Sequence, residues 1–183
     1  MVNKLTRRSV LSGLMAGVAG LALSGPAVAL NTDQARQLID RLVGEINRVI
    51  NSGKPESAMY SDFERIFADY ADVPIIARSA LGVAARSASA AQMNAFTTAF
   101  RGYLSRKYGK RFREFIGGKL EVESARAVKS FYEVKTTAYL RGEAPFEVVF
   151  LVSDKSGRDL FFNMYIEGVN MLATERTEIG AML

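Results

Sequence analysis

The hydrophobic period of this chain changes at Gly117-Gly118, and that change decides which folds are open to it. Before the glycine pair, apolar residues recur at the 3.6-residue spacing of a helix. After it they alternate with polar residues at the period of 2 expected of half-buried strands. Ala35, Leu38, Ile39, Leu42, Val43, Ile46, Val49 and Ile50 make the first helical stripe, opened by the capping-box pair Asn31 and Gln34 and stopped by Gly53 and Pro55. A shorter helix follows through Phe63, Ile66, Phe67 and Tyr70, and Pro74 opens a third that Gly82 closes. Ser89 and Gln92 form a second capping box ahead of the longest pattern, Met93, Phe96, Phe100, Tyr103, Leu104 and Tyr108. Gly109 is placed to kink this aromatic helix before Phe112, Phe115 and Ile116 carry it to the glycine pair.

Four alternating runs fill the second half. Leu120 and Val122 begin the first, and Tyr132, Val134, Thr136, Ala138 and Leu140 the second. Phe146, Val148, Phe150 and Val152 make the third, and Leu160, Phe162, Met164 and Ile166 the fourth, after the turn Asp154-Lys155-Ser156-Gly157. Sequential strands joined by short connections predict an antiparallel sheet, and the preceding helices must cover its apolar face. The expected class is α+β: a four-stranded antiparallel sheet covered by a set of helices, in a single domain over 30–183.

The start of the chain has a different character. Lys4, Arg7 and Arg8 precede an apolar run, Val10 to Leu23, broken by Gly13, Gly17 and Gly20, and Ala27-Val28-Ala29 supplies a small-x-small cleavage pattern. Residues 1–29 therefore read as an export signal cleaved after Ala29, with an uncleaved anchor as the alternative. Thr6-Arg7-Arg8-Ser9-Val10-Leu11 resembles the twin-arginine signal, with Sec export as the other route, and either leads to the periplasm. The 24 basic and 19 acidic residues give the whole chain +5. Lys4, Arg7 and Arg8 precede every acid, so removing them leaves the mature part near +2, and a near-neutral chain points to no nucleic-acid partner.

Histidine, cysteine and tryptophan are absent. That excludes disulfides, thiolate nucleophiles, zinc ribbons and Fe–S clusters, along with the commonest general base and transition-metal ligand. Only carboxylate, Lys, Ser or Tyr chemistry remains open. Glu121, Glu123, Glu133, Glu147 and Glu167 could supply a hydrolase pair, but alternation puts most of them on the outward face of the sheet.

Two segments carry a resemblance. Ala77 to Tyr108 holds an Ala77-Arg78 to Leu81-Gly82 turn, Gln92 followed by Phe96 and Phe100, and Leu104 with Tyr108. Tyr165 to Leu172 is followed by Arg176. Both are similar to the MlaC family, also called the toluene-tolerance family of ABC-transporter auxiliary proteins. The stretch from Tyr165 resembles that family's final strand, its V-E-G-V-S run and the arginine after it. Val83-Ala84-Ala85 departs from the usual aromatic pair, Asn170 stands where Ser is common, and the sequence stops at Leu183 where the family's closing helix usually runs further. The resemblance implies a periplasmic phospholipid shuttle that maintains outer-membrane lipid asymmetry, with acyl chains between sheet and helices. Its implied partners are an outer-membrane lipoprotein with its porin and an inner-membrane MCE-type ABC transporter. Relatives in hopanoid clusters leave another lipid cargo open.

On this reading the residues lining an apolar lipid cavity are Phe96, Phe100, Leu104, Val134, Phe146, Val148, Phe150, Phe162 and Met164. The alternative for the same residues is a closed, fully packed core. Arg101, Arg106, Lys107, Lys110, Arg111 and Arg113 read either as phosphate or partner contacts or as a solvated helix face. Two other functions stay open: a small enzyme on the same scaffold, which needs a buried acid or base in the cavity, and a protein adaptor, which needs helices closed tightly on the sheet.

Overall fold

The computed structural model describes residues 29–112 and 114–183. The expected export segment therefore lies almost wholly outside the described residues. Five α-helices and five strands follow one another: α1 (Thr32–Ile50), α2 (Glu56–Tyr70), α3 (Val73–Leu81), a 3-10 turn at Gly82–Arg86, α4 (Ala90–Phe112), β1 (Lys119–Val128), β2 (Phe131–Tyr139), β3 (Phe146–Ser153), β4 (Leu160–Ile166), β5 (Val169–Asn170) and α5 (Met171–Gly180). The strands form one antiparallel meander in sequence order.

Both capping boxes are present. Gln34 N–H donates to Asn31 Oδ1 at 2.9 Å while Asn31 N–H donates to Gln34 Oε1 at 2.9 Å. Ser89 and Gln92 exchange the same pair of bonds at 2.8 and 3.2 Å. All eight stripe residues of α1 are buried, and the helix lies against β1, β2 and β3. Burying a Leu or Ile side chain stabilises by about 1.5–3 kcal/mol, so this stripe is the largest single anchor of helix to sheet.

The four-strand expectation needs correction to five. The chain turns at Glu167 (φ 50°) and Gly168 (φ 78°), two left-handed residues in a row, and returns so that Tyr165 pairs with Asn170 and Ile166 with Val169. Two consecutive positive φ values are what a tight two-residue hairpin demands. Too short to show alternation, the extra strand is invisible to a period-2 search. Asn170 ends it and caps α5, its Oδ1 accepting from Ala173 N–H at 3.1 Å. Asn and Ser are equivalent at such a position, so this departure from the family pattern keeps its physical role.

The two segments that carry the resemblance meet in space. Gly82 has a left-handed backbone (φ 61°), and the space a Cβ would take lies 3.2 Å from Arg176 Nε. The glycine that ends α3 thereby seats the arginine of α5, and α3 and α5 pack together.

Groups of the helical layer reach backbone on both sides of the meander, at β1 and at β4. Asn47 on α1 donates to Leu120 O (3.0 Å) and accepts from Leu120 N–H (2.9 Å), mimicking a neighbouring strand. Arg36 on the same helix donates to the carbonyls of Val122 and Glu123 at 3.1 and 3.0 Å. On the far edge Asp72 N–H donates to Phe161 O at 2.8 Å, next to a parallel bridge from Ala71. Unpaired strand edges are aggregation sites, and groups from the helical layer engage part of each of these two.

Candidate functional site

The inner sheet face and the helices do not close on each other. Between them lies an apolar cavity of about 410 Å³. The floor is sheet: Phe146, Val148 and Phe150 of β3, with Phe161, Met164 and Ile166 of β4. Leu42 and Ile46 of α1 and Phe63, Ile66 and Phe67 of α2 form the roof. A chain of rings braces one wall, running from Tyr108 to Phe67 (6.4 Å between centroids), on to Phe161 (6.4 Å) and to Phe150 (5.4 Å). Phe115 stands edge-on to Phe146 at 5.9 Å near the other end. Among the described residues, charged lining is confined to Arg111, Glu114, Glu143 and Glu167, all exposed, so this end is the mouth.

Of the nine residues expected to line a cavity, Phe146, Val148, Phe150 and Met164 do so. Val134 belongs to the same inner face, paired with Phe150, but is fully buried in the packed core. Leu104 and Phe162 border a separate crevice of about 30 Å³ behind Tyr108. Phe96 and Phe100 lie outside the cavity, stacked on each other at 5.5 Å within α4, which packs on α2 and α3. The roof is thus α1 and α2, and α4 reaches the cavity only through its last turns, at Tyr108 and Arg111.

Phe162 is displaced by a β-bulge. Val152 pairs with Phe161 and Leu151 with Asn163, leaving Phe162 as the extra residue of β4. A bulge reverses the facing of everything beyond it. Phe161 therefore takes the inner position, and the Phe162 ring packs edge-on against Phe131 at 5.8 Å. The neighbouring pair of phenylalanines was the only sequence signal that either could serve. The α1 and α2 contributions were visible as helical stripes, but not which helix would lie over the sheet.

Two inward polar residues of β2 have their hydroxyls engaged by backbone. Thr136 donates to Val148 O at 2.8 Å, and Tyr132 donates to Leu30 O at 2.6 Å. Glu175, a buried acid that sequence reasoning missed, sits behind Tyr108. Its Oε1 accepts from Tyr108 OH and from Lys107 Nζ, both at 2.7 Å, while Oε2 is buried without a partner. Lys107 also reaches Glu178 Oε2 at 2.5 Å, which accepts from Tyr103 OH at 2.9 Å. Burial pushes the Tyr108 phenol far up, and the hydrogen bond to Glu175 adds to this. Burial alone would lower Lys107, but its bonds to Glu175, Glu178 and Tyr103 outweigh that and hold it strongly protonated. This cluster ties α5 to α4 and fixes the Tyr108 ring in the cavity wall.

The rest of the basic series has separate duties: Arg101 pairs with Glu64 at 3.2 Å, and Arg111 lies at the mouth. Arg113 lies outside the described residues. Glu133 and Glu147 pair with Arg126 and Lys135 on the outer sheet face, whereas the turn carries Glu167 to the mouth.

A family model described as MlaC protein matches residues 36–183. The chain belongs to the MlaC family. Among solved structures, a phospholipid-binding protein of Ralstonia solanacearum, in complex with a phospholipid, matches with a TM-score of 0.69. The match covers 80% of this chain and 86% of that one at 16% identity, a likeness that shows a shared fold. Within that MlaC fold, the cavity lies between the sheet and its two covering helices.

Proposed function

We propose that this chain is a phospholipid carrier that holds acyl chains in the cavity beneath α1 and α2 and leaves the headgroup at the polar mouth. The observation that carries this reading is the separation of chemistry along the cavity among the described residues, apolar at floor and roof and charged at one end. An acyl chain gains about 0.8 kcal/mol per methylene taken out of water, so a long chain more than offsets an unfilled pocket. The MlaC match and the phospholipid bound to the Ralstonia protein support the same cargo.

The sequence of residues 1–29 supports export of the carrier. Residues 1–29 serve as the signal, the mature carrier works in the periplasm, and it passes lipid between an outer-membrane lipoprotein–porin complex and an inner-membrane MCE-type ABC transporter, maintaining outer-membrane asymmetry. Solvent extraction of the purified protein followed by mass spectrometry tests the cargo. Phospholipid in stoichiometric amounts is the expected result, and protein free of lipid would overturn the reading. A hopanoid in its place would correct the cargo and retain the carrier.

A further inference from the structure

The charges at the mouth are unbalanced. Among the described lining residues Arg111 supplies one cation, whereas Glu114, Glu143 and Glu167 supply three carboxylates, a formal excess of two negative charges. They come from three separate segments that the fold brings to one rim: Arg111 from the last turn of α4 with Glu114 just beyond it, Glu143 from the loop between β2 and β3, and Glu167 from the β4–β5 turn. The last is held firmly, its left-handed backbone anchored by Glu167 N–H donating to Glu147 O at 3.0 Å. The nearby Arg141 does not redress the balance at the lining. Its guanidinium packs on the Gly117 turn, where a Cβ would meet it at 2.5 Å, and it does not line the cavity.

A lipid whose chains enter the cavity leaves its phosphate at this rim. A phosphate can pair with Arg111, since guanidinium and phosphate oxygens make strong charge-assisted bonds. What the headgroup carries beyond the phosphate then meets the carboxylates. A primary ammonium is attracted to them, while a headgroup of net negative charge adds to an existing excess. We propose that the mouth sorts phospholipids by headgroup, favouring those that combine a phosphate with an ammonium over those of net negative charge. The inference rests on the carrier reading and adds a preference to it.

The test is a competition. Purified protein is equilibrated with excess vesicles holding equal amounts of phosphatidylethanolamine and phosphatidylglycerol, then re-isolated, and its bound lipid is quantified. Exposed ion pairs contribute a few tenths to about 1 kcal/mol each, so the expected enrichment of the ethanolamine lipid is about fivefold at low salt. It should shrink toward parity at high salt, because exposed charges are screened. The double variant Glu114→Gln, Glu143→Gln should lose most of the enrichment, read as the ratio of the two lipids in whatever lipid it binds. Bound lipid that mirrors the vesicles in the wild type, or enrichment that survives the double substitution, overturns the headgroup preference alone. Uptake of neither lipid overturns the preference and the carrier reading together.

Discussion

Gly109 is free of a side chain because α2 occupies the place where one would project. A Cβ there would meet the Tyr60 ring at 2.6 and 2.8 Å. The glycine thus permits a close helix contact, and α4 continues through it to Phe112. Alanine is the better helix former by nearly 1 kcal/mol, yet Gly109→Ala should destabilise the protein by about 1–3 kcal/mol, since overpacking outweighs propensity. A denaturant titration would read this, and a stabilised variant would contradict the close contact. Leu30 is another residue with an unexpected setting: its side chain is buried and its backbone N–H donates to Asp154 Oδ2 at 3.2 Å. Cleavage after Ala29 would turn that amide into an α-ammonium facing a carboxylate. The intact mass of exported protein should therefore start at Leu30, and Asp154→Asn should lower the melting temperature of that form more than of a form one residue longer.

At the scale of elements, the α4–α5 clamp is where charge matters most. Lys107→Met leaves the Glu175 carboxylate buried without its cation, and breaking such a pair from one side costs about 3 kcal/mol. The double variant Lys107→Met, Glu175→Met should lose less than the single one. The clamp also sets an acid limit. Hydrogen bonds from Lys107 and Tyr103 hold Glu178 below the ordinary carboxylate value of 4.5. Burial would raise Glu45, but bonds from Arg65 and Tyr70 outweigh it and hold that group low as well. A carboxylate depressed in the folded state contributes stability above its unfolded value and loses it as protons are added. The melting temperature should therefore fall as pH drops below about 4.5, and Lys107→Met should flatten the part due to Glu178. A melting temperature unchanged across that range would contradict the assignment. None of this clamp was legible in the sequence, because Tyr108 and Glu175 lie 67 residues apart and no local pattern links them. The α1 stripe and both capping boxes were legible, being local in origin. Alternation placed Val148, Phe150 and Met164 correctly on the inner face but failed at Phe162, where one unpaired residue shifts the register.

For the whole molecule the question is why a chain with so many large apolar residues leaves a space unfilled. The layers are held apart at their margins. Asn47 and Arg36 fix α1 to the edge of β1, and Asp72 fixes the start of α3 to β4. Between those attachments the Tyr108–Phe67–Phe161–Phe150 rings prop α2 above the floor. Sequence pattern could supply the apolar faces but not their separation, since a packed core and a lined cavity use the same residue types. Val148 separates the two most directly: it lies on the cavity floor, paired with Thr136 on one side and Ile166 on the other. Bound phospholipid and melting temperature should be measured on the same samples of wild type and Val148→Trp. The carrier account predicts that the wild type holds lipid and that the tryptophan fills its space, removing the lipid while the apo protein keeps its stability. A variant that melts far lower, beside a wild type that never held lipid, would contradict it.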